Sequence, residues 1–115
     1  MRKIVWCFHL PLEADILVKS DQELKLGELL ATDGEIQFLA PADSRVDKVN
    51  EGMIELTFEA EKFDGDFSGL GAQHDGKILL VESASPVFLA KAKTVGVVGI
   101  VMIGDNEKNS VTWLS

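Results

Sequence analysis

The segment from Lys77 to Met102, KILLVESASPVFLAKAKTVGVVGIVM, constrains the fold more than any other part of the chain. Lys77 to Glu82 is a continuous apolar run, and such a run is stable as a strand only where both faces are covered. Ser85 suits a helix N-cap, Pro86 the first helical position and Gly96 the position just past the end, which bounds a helix of about three turns from Pro86 to Val95. The predicted buried stripe of that helix is Val87, Ala90 and Thr94, with Phe88 and Leu89 beside it. Val97 to Met102 is a second apolar strand. Two such strands joined by one helix spell a βαβ unit over Ile78 to Met102, with parallel strands and a right-handed crossover. The tail SVTWLS is read as an added edge strand.

Upstream the pattern is β throughout. Arg2 to Leu10 is rich in Ile, Val, Trp and Phe and is closed by Pro11, which predicts a buried strand. Ala14 to Lys19 places Ile16 and Val18 on one face of a half-buried strand. Ser20 to Gly27 contains helix formers, but Leu24 and Leu26 are spaced by two, so a β bridge is predicted there and not a helix. Asp33-Gly34 lies between two apolar runs, Leu29 to Ala31 and Ile36 to Leu39, and marks a hairpin tip. Ala40 to Ser44 is a proline-led turn, Arg45 to Val49 a short strand and Asn50 to Gly52 another turn. Met53 to Ala60 alternates cleanly: Ile54, Leu56 and Phe58 face one way, Glu55, Thr57 and Glu59 the other. Phe63 to Gly76 is dense in glycine and reads as a long loop or a bulged strand.

A length of 115 residues accommodates one modest core, so a single compact domain over 1–115 is expected, with a barrel-sandwich-like part at 1–62 and a glycine-rich loop plus βαβ part at 63–115. No apolar run approaches bilayer-spanning length, and the N-terminal stretch is interrupted by His9, Pro11, Glu13 and Asp15 before it could form a signal-peptide core. Cys7 is the one cysteine, so no internal disulfide can form, which fits a reducing, cytoplasmic setting. The formal charge of −8 opposes binding to nucleic acid or to anionic membrane.

From Ile16 onward, ILVKSDQELKLGELLATDGEIQFLAPADSRVDKVNEG resembles the second half of a biotinyl or lipoyl attachment domain and its barrel-sandwich hybrid relatives. Ser20, Asp21, Leu24, Gly27 and Leu30 fall on the family's crossing, and Ala40, Pro41, Asp43, Ser44 and Val46 fall on its second turn, with Ser20 and Ser44 standing where the family usually has glycine. The resemblance covers about a third of the chain, and it implies a fold shared by many functions. Carriers present a lysine at the hairpin tip, whereas this tip is Thr32-Asp33-Gly34-Glu35 and the nearest lysines, Lys25 and Lys48, belong to other segments. The resemblance therefore implies a divergent member that is not a biotin or lipoyl carrier. The C-terminal part is similar, more loosely, to swivelling βαβ domains.

No residue set names a reaction, and no catalytic, cofactor or metal site is expected. Cys7 and His9 share one face of a strand, but a metal would need further ligands, so they read as a buried thiol and an edge imidazole. The residues with any prospect of ligand binding are Gly69, Gly71, Gln73, His74 and Asp75 in the glycine-rich loop, and Ser83 and Ser85 at the helix N-terminus. His74 beside Asp75 has the form of an oriented base, yet a solvated acidic loop is the expectation; Ser85 is expected to serve as a cap. Gly69, Gly71 and Gly76 are expected to permit positive φ or close backbone approach. The sequence thus predicts a mainly β, α+β fold, a barrel-sandwich hybrid with a C-terminal βαβ unit. Its expected function is a non-enzymatic interaction or scaffold module that binds a protein partner or self-associates. The alternative is a small-molecule-binding or enzymatic module using the 65–76 loop with the Ser83 to Ser85 junction.

Overall fold

The structure, a computed structural model, describes residues 2–103 and 109–114. The chain is mainly β, with one α-helix among the described residues and both parallel and antiparallel strand pairs. It divides into two compact units, Lys3–Phe58 and Glu59–Ser115, the latter with Met1–Arg2.

The first unit holds β1 (Arg2–His9), β2 (Asp15–Ile16), β3 (Glu23–Leu24), β4 (Leu29–Thr32), β5 (Gln37–Leu39), β6 (Ser44–Asn50) and the first part of β7 (Met53–Lys62). Strands β3, β6 and β7 form an antiparallel ladder in that order, β1 pairs with β7, and β2, β4 and β5 form a separate three-stranded sheet. The alternation read from Met53 to Ala60 holds along β7: Ile54, Leu56, Phe58 and Ala60 are buried, while Glu55, Thr57 and Glu59 are not. Leu10, Val18, Leu24, Leu30, Val46, Ile54 and Leu56 make the buried centre of this unit. β1 is less buried than its composition predicts. Only Ile4 is fully enclosed, Val5 and His9 face out, and Trp6, Cys7 and Phe8 are half-buried, because β1 is covered on one face alone.

The Ser20 to Gly27 crossing carries the short β3 and no helix. It is tied to the Ala40 to Ser44 turn by backbone bonds from Gly27 to Ala40 (2.9 Å) and from Ala40 to Glu28 (2.8 Å). The Asp43 carboxylate also accepts the Leu26 N–H at 2.9 Å. Asp21, at φ 70°, sits in the left-handed region and pairs with Arg45 at 2.9 Å.

The second unit contains the predicted βαβ arrangement. β8 (Ile78–Val81) is buried at every position, α1 spans Pro86–Thr94, and β9 (Gly99–Ile103) runs parallel to β8 with Ile78 opposite Gly99 and Val81 opposite Met102. β8 also runs parallel to the end of β7 through Glu61 and Lys62. β10 (Asn109–Trp113) adds the expected strand, antiparallel to β9. Between β7 and β8 lie two short 3-10 turns, Phe67–Gly69 and Ala72–His74, and no strand.

Helix α1 begins and ends as its punctuation predicts. The Ser85 hydroxyl accepts the Phe88 N–H at 3.1 Å, Pro86 opens the helix, and Gly96 takes φ 95° just past its end. The buried stripe differs from the predicted one. Phe88 and Ala92 are buried, Leu89 and Val95 are half-buried, and Val87, Ala90 and Thr94 are exposed. Both sets fit a 3.6-residue period; the face that packs is the one carrying the larger aromatic surface, since burying Phe88 removes more apolar area from water than burying Val87. Phe88 reaches Phe63 with ring centroids 5.6 Å apart.

Replacing Phe88, which is 5% exposed, by Ala is expected to cost about 3–5 kcal/mol in chemical denaturation. Replacing Val87, 58% exposed, by Ala is expected to stay within about 0.5 kcal/mol. Equal losses at the two positions would place the packed face where the sequence pattern alone puts it.

Candidate functional site

The two regions singled out by the sequence lie in different units and have different chemistry. The hairpin tip between β4 and β5 belongs to the first unit, and its residues spend their polar groups on one another. Asp33 Oδ1 accepts the N–H groups of Ile36 (2.7 Å) and Glu35 (2.9 Å), Gly34 N–H donates to the Thr32 hydroxyl (3.1 Å), and that hydroxyl donates to the Ile36 carbonyl (3.0 Å). The bonds from Ile36 and then Glu35 hold the Asp33 carboxyl below its ordinary aspartate range. Gly34 has φ 99°, which the turn requires and a side chain would oppose. The tip, Thr32 to Glu35, contains no lysine.

The glycine-rich loop of the second unit is built around an inward-facing histidine. His74 is 8% exposed, unlike the solvated position expected for it. Its Nδ1 accepts the Gly71 N–H at 3.1 Å while its own backbone N–H donates to the Gly71 carbonyl at 3.0 Å, and its ring stands edge-on to Phe63 with centroids 5.3 Å apart. With Nδ1 accepting, the neutral ring carries its proton on Nε2. The imidazole closes one turn of loop and covers Phe63, which explains a buried polar ring in a segment with few large aliphatics. Asp66 starts the preceding turn in the same manner, accepting the Ser68 hydroxyl and backbone N–H, and these bonds lower its pKa in that order.

The remaining candidates do not converge. Asp75 does not orient the His74 ring; its carboxylate lies against Gly96, where an added Cβ would overlap it. Gly76 N–H donates to the Gly96 carbonyl at 2.8 Å, so the loop's last residues run beside the C-terminal end of α1. Ser85 stands at the other end, its hydroxyl committed to the Phe88 cap, and Ser83 is exposed nearby. A helix of nine residues is about 13 Å long, so Asp75 and the Ser83 to Ser85 junction flank opposite ends of it. Gln73 is exposed, and its side chain folds back toward Gly71.

Of the loop glycines, Gly65 (150°) and Gly76 (76°) take positive φ, whereas Gly71 is extended at −157°, a backbone any residue could adopt, although a Cβ there would meet the end of the Gln73 side chain. Gly69 permits a close approach, since a Cβ there would come within 3.2 Å of the Phe63 ring. Cys7 and His9 lie on β1, half-buried and exposed respectively. Among the described residues no group of three or more His, Cys, Asp or Glu side chains is placed to hold a metal ion. The packing role of His74 was hidden in the sequence. Its one signal was the spacing of Gly71 and His74, which suits a single 3-10 turn.

His74→Ala is expected to destabilise the fold by about 1 kcal/mol or more, because the part-buried Gly71 N–H loses its acceptor and Phe63 loses the ring that covers it. His74→Asn, which can keep an acceptor near the same place, is expected to recover part of that loss in thermal denaturation. A fully stable His74→Ala variant would contradict the packing role.

The Asp33 geometry yields a pH dependence of definite sign. Because its folded pKa is depressed, its contribution is present above the unfolded value near about 3.9 and is lost as pH falls through the lowered folded value. The stability difference between wild type and Asp33→Asn is therefore expected to be constant near neutrality and to shrink in that acid window. A difference that grows on acidification would contradict the tip geometry.

No protein-family model matches the chain, and neither the comparison with curated proteins nor that with solved structures found a significant match.

Proposed function

We propose that this chain is a non-catalytic interaction or scaffold module, cytoplasmic, derived from a barrel-sandwich hybrid of the biotinyl and lipoyl type, and that it associates through the outer face of its three-stranded sheet. The observation that carries this reading is an outward-facing leucine pair with a third exposed leucine nearby. Leu29 on β4 is the cross-strand partner of Leu39 on β5, and Leu17, just past β2, donates its N–H to the neighbouring Leu30 carbonyl at 2.9 Å. These leucines are 52% (Leu17), 37% (Leu29) and 47% (Leu39) exposed. A second row on the same face, Asp15, Thr32 and Gln37, is polar and aligned by register.

Single exposed leucines are ordinary, but a cross-strand leucine pair with a third exposed leucine beside the same sheet is the kind of apolar surface found at protein interfaces. Beside them, β5 pairs only with β4 among the described residues, which leaves an edge able to accept another strand. The bonds tying the crossing to the Ala40 to Ser44 turn support the family reading, because the two matched motifs meet each other. The glycine-rich loop gives less support to the small-molecule alternative, since its histidine is spent on packing.

Sedimentation analysis at micromolar concentrations is expected to show self-association that weakens in Leu29→Lys. Because each copy carries a formal charge of −8, added salt should screen repulsion and strengthen the association. A chain that stays monomeric throughout, or association unchanged in Leu29→Lys, would contradict the reading. Co-expression with a biotin or lipoyl ligase is expected to leave the intact mass unchanged; a mass increase located on a lysine would overturn the family inference.

A further inference from the structure

Three aspartate-glycine steps occur in this sequence: Asp33-Gly34, Asp64-Gly65 and Asp75-Gly76. At such a step the glycine nitrogen can attack the aspartate side-chain carboxyl carbon. An N–Cγ bond forms, a Cγ–O bond breaks, and one water leaves with the amide proton, giving a five-membered succinimide. Water then opens the ring at either carbonyl, restoring aspartate or linking the chain through the side-chain carbon as isoaspartate. The mass is unchanged overall, and no other reactant is consumed. The step needs a carboxyl carbon free to rotate onto the next nitrogen and an amide proton that is not held elsewhere.

The structure treats the three steps differently. At Asp33-Gly34 the carboxylate takes two backbone N–H groups and the Gly34 N–H is held by the Thr32 hydroxyl. At Asp75-Gly76 the Gly76 N–H is bonded to the Gly96 carbonyl at 2.8 Å and the Asp75 carboxylate is packed against Gly96. At Asp64-Gly65 neither restraint exists: the Gly65 N–H has no acceptor among the described residues. The Asp64 carboxylate has only a loose pairing with Lys62 at 3.8 Å, with both side chains 73% exposed. An exposed pair of that length restrains a side chain weakly.

We propose that Asp64 is the site of spontaneous isoaspartate formation in the folded chain, and that the folded structure protects Asp33 and Asp75. The product adds a methylene to the main chain directly after Phe63, the ring on which His74 and Phe88 rest.

The test is prolonged incubation of the whole protein at neutral pH and physiological temperature, folded and in concentrated urea, followed by proteolysis and mass spectrometry that distinguishes the two linkages at each step. In the folded protein Asp64 is expected to convert at least about fivefold faster than Asp33 or Asp75, equivalent to about 1 kcal/mol on the barrier. In urea the three rates should converge. Three results would each overturn the proposal: conversion at Asp33 or Asp75 as fast as at Asp64 in the folded protein, a ranking that persists in urea, or no conversion at Asp64 when the unfolded chain reacts.

Discussion

One extra residue in β4 decides what the three-stranded sheet presents to its surroundings. The register between β4 and β5 shifts between Leu29 and Ala31, so Leu30 and Ala31 both point inward and are fully buried, while Leu29 is turned out opposite Leu39. Without that bulge, strict alternation would put Leu29 and Ala31 on one face, and either Leu29 would enter the core or Ala31 would leave it. The bulge therefore supplies the interior with two consecutive apolar side chains and the surface with a cross-strand leucine pair. The functional reading of the first unit rests on this arrangement.

The second unit depends on a different constraint, the placement of α1 by its two ends. Ser85 fixes where the helix starts and Gly96 where it stops, and Gly96 has no side chain to displace the Asp75 carboxylate or the loop residues beside it. With the ends set, Phe88 is the side chain brought against Phe63, and Phe63 in turn carries the His74 ring. A row of three rings takes over in the loop the role that aliphatic residues play elsewhere. This accounts for a glycine-rich segment that is folded without being a strand.

Much of this was legible in the sequence where signals are local. The Asp33-Gly34 tip, the Ser85 and Gly96 helix ends and the β7 alternation follow from residues within a few positions of one another, and the parallel pair β8 and β9 follows from the order of strand, helix and strand. Features set by tertiary choice were not legible. The helical pattern allowed two stripes, and only packing selects Phe88 over Val87. Similarly, composition could not tell that β1 is covered on one face, or that a lone polar His74 turns inward to satisfy Gly71. At the candidate site, the sequence brought His74, Asp75 and Ser85 to notice together, whereas the fold assigns them to a loop pin, a helix end and a helix cap.

The central claim, that the outer face and free edge of the β2, β4 and β5 sheet form the association surface, is tested most directly by hydrogen exchange on dilute and concentrated samples. Association through this surface requires concentration-dependent protection centred on the backbone amides of Gln37 to Leu39, with β8 and β9 unchanged. Protection confined to the second unit, or exchange independent of concentration, would contradict it.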